Sequence, residues 1–91
     1  MPLKTSEVLT LTNADTDYSP ATNETGGRYV WVQPDTANTD VVLVALKGNT
    51  YALKLVVGGP AIPLAVSNPS GLKFRCVGTA GQKVLLQNVV E

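Results

Sequence analysis

Glycine and proline interrupt this 91-residue chain at short intervals, and no segment between them repeats apolar residues at the helical period of 3.6. The chain is also rich in β-branched residues, with thirteen valines and ten threonines. Their stiff, branched side chains suit the pleated surface of a strand better than a helix. The pattern therefore predicts an all-β protein built from short strands.

Seven strands are predicted, at residues 7–12, 28–33, 40–47, 50–57, 61–66, 72–77 and 83–90. Gly48 and Asn49 lie between the third and fourth and predict a two-residue hairpin. Pro63 cannot donate to a strand ladder, so we expect the fifth strand at a sheet edge or irregular. Seven to eight short strands at even spacing are typical of a small antiparallel β-sandwich or a partly closed barrel. A single domain over residues 1–91 is expected, with a long polar loop at residues 13–27.

The composition excludes several classes of function. Seven Lys and Arg balance seven Asp and Glu, so the clustered positive field of a nucleic-acid-binding protein is not expected. Histidine is absent, which removes the commonest general base and the commonest metal ligand. Residues 13–24 space oxygen-bearing side chains as a calcium loop does, but Tyr18 stands where that loop needs glycine. We therefore predict no enzyme, with no catalytic residue, no cofactor and no metal site.

The N-terminal residues carry no apolar core of a signal peptide, and no apolar run approaches the length of a membrane helix. Synthesis in the cytoplasm and no membrane partner are therefore expected. Cys76 alternates with charged residues, in phase with Leu72 and Phe74. A lone cysteine in this pattern is typical of a small buried hydrophobic side chain.

Two predicted strands are apolar on both faces, which requires a cover on both sides. The third strand has Val42, Val44 and Leu46 on one face and apolar residues between them, and the seventh strand has Leu85 and Val89 on one face and further apolar residues on the other. A chain of this length cannot easily supply a third layer. We therefore expect these residues at a subunit interface, with a closed barrel or a folded-over loop as the alternative.

Tyr29 and Trp31 lie on one face of the second predicted strand, with Arg28 beside them. Three interpretations stay open for this aromatic pair. It can belong to the core, it can anchor an interface, where Trp, Tyr and Arg are enriched, or it can stack on a sugar or a base.

The order of these segments resembles a known family. The chain has a Thr- and Asp-containing segment at 9–18, aromatic and apolar strands at 29–33 and 40–44, and a short strand at 50–54. Segments 72–78 and 80–89 follow, the last with Ala-Gly-Gln before an apolar strand. This order is similar to that of the small β-sandwich structural proteins of tailed bacteriophages.

The resemblance implies a virion protein on the capsid surface, most simply a decoration or cement protein that contacts the major capsid protein. It also implies a homo-oligomer, with a trimer at a symmetry axis as the expected form. Loop 13–27 is longer than the turn such proteins have there, and we interpret it as an assembly arm. Alternatives are a minor tail, connector or fibre-base component, or a β-sandwich module that binds carbohydrate or another surface.

Overall fold

A computed structural model describes residues 3–89 of the chain. These residues form seven strands, as predicted, together with one 3-10 turn at Pro69–Gly71. The strands are β1 (Leu3–Leu11), β2 (Tyr29–Pro34), β3 (Val42–Leu46), β4 (Leu53–Leu55), β5 (Ile62–Leu64), β6 (Leu72–Cys76) and β7 (Gln82–Val89). Val90, which the sequence places in the last strand, lies outside the described residues.

The strands form two antiparallel sheets, one of four strands in the order β1-β7-β2-β5 and one of three in the order β4-β3-β6. The two sheets stay open and do not close into a barrel, so the sandwich prediction is confirmed. The expected edge position of the fifth strand is confirmed too, because β5 ends the larger sheet and pairs Pro63 with Trp31 of β2. A proline at that edge interrupts no internal ladder.

Alternate residues of each strand meet between the two sheets and form one apolar core. Phe74 of β6 is its largest fully buried side chain, and it packs in one cluster with Val44 of β3 and Val32 of β2. Cys76 is buried in the same cluster, as its spacing predicts. Complete burial of a side chain such as Val or Phe contributes about 1.5–3 kcal/mol to folding. Because the core buries one face of each strand, the opposite face is the one that can contact another molecule.

The predicted hairpin is partly wrong. β3 and β4 do pair as antiparallel neighbours, but the ladder begins only at Val44 and Leu53. The turn comprises residues 46–49, and the amide of Asn49 donates to the carbonyl of Leu46 at 3.1 Å. Gly48 is its third residue and has a φ of +85°. A positive φ at the third position is typical of a type II turn, whose twist does not match that of paired strands. The two strands therefore separate before they pair, and β4 is reduced to three residues.

Loop 13–27 closes one side of the sandwich. Tyr18 and Phe74 exchange backbone hydrogen bonds of 2.9 and 2.7 Å, so the loop runs along the outer edge of β6. It then reaches β1, where the carboxylate of Glu7 accepts bonds from the amides of Ala21 and Thr22 at 2.8 and 2.9 Å. The Thr22 hydroxyl donates a further bond of 2.6 Å to the same carboxylate.

The far end of the loop is fixed against β7. Gly27 donates to the carbonyl of Ser67 at 3.1 Å, and Arg28 donates to the carbonyl of Val89 at 2.8 Å. A side chain at position 27 would not fit, because its Cβ would lie 2.5 Å from Oδ1 of the buried Asn88. The loop is therefore held at both ends and in its middle, while its role as an assembly arm stays a prediction.

The Glu7 contact predicts an acid-sensitive loop. Partial burial raises the pKa of Glu7, but the bonds from Thr22 and Ala21 outweigh it and hold the pKa below the ordinary 4.5. A carboxyl with a lowered pKa stabilises the fold above its ordinary pKa and loses that contribution as the pH falls. We expect unfolding free energy to decrease below pH 4.5, and we expect Glu7→Gln to cost about 1 kcal/mol at neutral pH after solvent screening.

Hydrogen exchange measured by NMR locates this effect. In Glu7→Gln the amides of Ala21 and Thr22 should exchange faster, whereas the amide of Gly27, which donates to Ser67, serves as the internal control. Unchanged protection at Ala21 and Thr22 would contradict the assignment of Glu7 as the anchor of the loop.

Candidate interaction surfaces

Three residues predicted at a subunit interface are enclosed by the folded chain. Val42 and Val44 of β3 point into the core, with 0% and 1% of their surface exposed. Val89 of β7 pairs in register with Tyr29 and is buried as well. The larger sheet covers the inner face of β3, which is why Val42 and Val44 offer no surface to a partner.

The other four residues are accessible and lie on two different surfaces. Leu46, at the end of β3, is 46% exposed. Trp31 is 36% exposed on the outer face of the four-stranded sheet, where Tyr29 and Leu85 are half-buried. The aromatic pair is therefore not part of the core, and the interface and ligand interpretations are the ones left for it.

The first surface is the side of the sandwich between β4 and β5, which we call the open side. It contains a slot of about 230 Å³ between the two sheets. Every lining residue is apolar, and the lining comprises Val44, Ala45, Leu46, Leu53, Leu64, Ala65, Val66 and Leu72. Leu46 and Leu53 are both exposed at its mouth. Contiguous exposed apolar surface is typical of a site of contact with another molecule.

The open side also carries an exposed apolar turn. β4 and β5 are joined across the two sheets by a turn in which Gly59 donates to the carbonyl of Val56 at 2.9 Å. Gly58 takes a φ of +74° there, and the side chains of Val56 and Val57 are exposed. The open side therefore presents an apolar projection near one end and an apolar slot near the other.

The second surface is a groove on the outer face of the four-stranded sheet, which we call the aromatic groove. It has a volume of about 330 Å³, and its lining includes Ser6, Val8, Trp31, Gln33, Leu85 and Gln87. The register explains the grouping, because Leu85 of β7 lies between Val8 of β1 and Gln33 of β2. Tyr29 meets Trp31 edge-on, with ring centroids 6.0 Å apart, and helps to fix the orientation of the indole.

The outer face of the smaller sheet is bridged by the chain itself. The Tyr51 hydroxyl donates to Oδ1 of Asp17 at 2.7 Å, and Arg75 Nε donates to the same oxygen at 2.8 Å. Lys73 Nζ lies 4.6 Å from the centre of the Tyr51 ring. Tyr51 precedes β4, and Asp17 adjoins β6 on the other side of β3. The Tyr51 side chain therefore spans the outer face of β3. Part of the second cover that β3 requires is therefore intramolecular.

The bridge shifts the proton affinities of its members. The hydrogen bond from Tyr51, together with Arg75 and Lys73, holds the pKa of Asp17 below its ordinary value despite some desolvation. Desolvation, reinforced by the negative charge of Asp17, raises the pKa of Tyr51. Asp17 therefore stays ionised and Tyr51 stays protonated at neutral pH.

Residues 3–89 bring together no group of three or more His, Cys, Asp or Glu side chains that could hold a metal. No helix in the same residues is long and apolar enough to cross a membrane. Comparison with models of protein families, with curated proteins and with solved structures finds no match to this chain. Residues 3–89 therefore form a β-sandwich with two accessible surfaces, the apolar open side and the aromatic groove.

Removal of the Tyr51 hydroxyl tests the bridge. Tyr51→Phe keeps the ring but removes the bond that contributes most to the lowered pKa of Asp17. We expect the pKa of Asp17 to rise towards its ordinary 3.8, though not to reach it, because Arg75 remains. An NMR titration of the side-chain carboxyls measures this, and Tyr29→Phe is the matched control. An unchanged pKa of Asp17 in Tyr51→Phe would contradict the bridge.

Proposed function

We propose that this protein is a structural protein of a bacteriophage virion, a capsid decoration or cement protein that forms a homo-oligomer through its open side. The observation that carries the oligomer is the wholly apolar slot, with Leu46 and Leu53 exposed at its mouth. The capsid assignment rests on the segment order that resembles small phage structural proteins. Both are consistent with a neutral, weakly charged domain.

The geometry of the open side favours a head-to-tail contact. The turn at Val56 and Val57 and the slot beside Leu53 are different features of one chain, and each exposes apolar side chains to solvent. Insertion of the turn of one protomer into the slot of the next is a heterologous contact, which closes into a ring when the rotation permits. A trimer, the form that the resemblance implies, is one such ring.

Such a ring would strengthen a capsid by added contact area. Each 100 Å² of apolar surface removed from water contributes about 2.5 kcal/mol before the costs of association. If the ring also contacts neighbouring copies of the major capsid protein, the shell can open only after this buried area is exposed to water again. A minor tail, connector or fibre-base component would use the same open side at a much lower copy number.

Two substitutions on β3 test the oligomer. Leu46→Asp places a charge at the exposed mouth of the slot, so we expect a folded monomer. Val44→Asp, two residues earlier, buries an unpaired charge in the core, so we expect the monomer itself to unfold. Sedimentation velocity gives the association state, and far-UV circular dichroism gives the fold.

Val77→Asp is the control for this pair, because Val77 is exposed but does not line the slot. It should keep both the fold and the association state. An oligomer that persists in Leu46→Asp, or a wild-type protein that sediments as a monomer at all concentrations, would refute assembly through the open side.

The copy number in purified phage particles tests the capsid assignment. Quantitative mass spectrometry should find this protein near-stoichiometric with the major capsid protein. A few copies per particle would instead favour the tail, connector or fibre assignment. Absence from particles that package DNA normally would refute a virion role.

A further inference from the structure

We propose that the aromatic groove binds a neutral oligosaccharide. This goes beyond the proposed structural role and does not depend on it. The groove lies on the outer face of the larger sheet, whereas the open side lies between the sheets. Ala61, close to the turn of the open side, lines one edge of the groove, and a ring formed through the open side leaves the part on β1, β7 and β2 accessible.

The lining of the groove combines the two kinds of contact that a sugar ring offers. A pyranose has a face of C–H groups and a rim of hydroxyls. Trp31, with Val8 and Leu85 beside it, supplies ring and aliphatic surface for the face. The side chains of Gln33 and Ser6 can both donate and accept hydrogen bonds with the rim. Binding sites for small polar ligands have this mixture of apolar surface and a few placed polar groups.

The charges around the groove favour an uncharged ligand. Among the side chains that the structure describes, no lysine or arginine lines the groove, so these residues supply no counter-charge to an acidic sugar. The one acidic residue of the lining is Glu7, and its carboxylate is occupied by the amides of Ala21 and Thr22. A cationic ligand therefore meets no available carboxylate within the groove.

The groove is held rigidly before any ligand arrives. All of its residues except Ala61 stand on β1, β7 and β2, three adjacent strands whose ladders are paired over most of their length. The edge-on contact with Tyr29 restricts the Trp31 ring further. A preformed platform loses little entropy on binding, which lets a shallow groove retain a ligand.

Trp31 makes the test direct, because it is the only tryptophan of the chain. The protein is titrated with maltopentaose, cellopentaose, mannopentaose and chitopentaose, and with polygalacturonate as an acidic counterpart, while the fluorescence emission of Trp31 is recorded. We expect at least one neutral oligosaccharide to shift the emission to the blue and to protect the indole from acrylamide. Saturation should follow a dissociation constant on the order of 0.1–1 mM, as for a shallow site.

Val8→Arg is the blocking variant, because Val8 is 58% exposed and stands within the groove. Val77→Arg is its matched control, since Val77 is 47% exposed and lies outside the groove. We expect Val8→Arg to weaken binding at least about tenfold and Val77→Arg to leave it unchanged, with both variants folded and with the wild-type association state.

Three results would overturn the proposal. One is the absence of a Trp31 response to all four neutral oligosaccharides. Another is a response to polygalacturonate alone. The third is dissociation of the oligomer by Val8→Arg, which would make the groove a contact between protomers. That result is distinct from failure of the proposed function, which the Leu46→Asp and copy-number experiments decide.

Discussion

The backbone pairing of Tyr18 with Phe74 determines which strand edges of this sandwich are covered, because it holds loop 13–27 along the outer edge of β6. Two open sheets have two lateral sides, and unpaired strand edges invite association. The chain has one long connection, and it uses this loop to close the side between β1 and β6. The opposite side has only β4 and β5, each three residues long, and the turn that joins them, in which Val56 and Val57 are exposed. The closure of one side thus leaves the other open.

This division gives the proposed roles separate surfaces. The open side is apolar throughout its slot, as suits a contact with another protein, whereas the aromatic groove mixes Trp31 with amide and hydroxyl groups. The third surface, over β3, is bridged by the Tyr51 side chain and its contact with Asp17. A protein that decorates a particle while it contacts an outside ligand needs such a separation, because one surface cannot serve both at once.

The sequence was sufficient for the strands and the fold class, because alternation and turn residues are local signals. It also identified Leu46 and Trp31, which the structure leaves accessible. It failed for Val42 and Val44 as accessible residues, because alternation shows that a strand has two apolar faces but not which sheet covers which. The bridge of Tyr51 to Asp17 joins residues 34 positions apart, and no local pattern predicts it. The antiparallel pairing of β3 with β4 was predicted correctly, but the turn at Gly48 was not, because a glycine suits several turn types with different twists.

The position of β7 in the larger sheet has a consequence for the timing of folding. β7 lies between β1 and β2, so the first strand of the chain finds its neighbour only in the last. During synthesis, β1 has no partner strand until residues 82–89 are available, whereas β2 can pair with β5 before then. Pairing between distant segments is also slow, since the loop between them must close first. The larger sheet is therefore completed late, because β7, which lies between β1 and β2, is the last of the described strands.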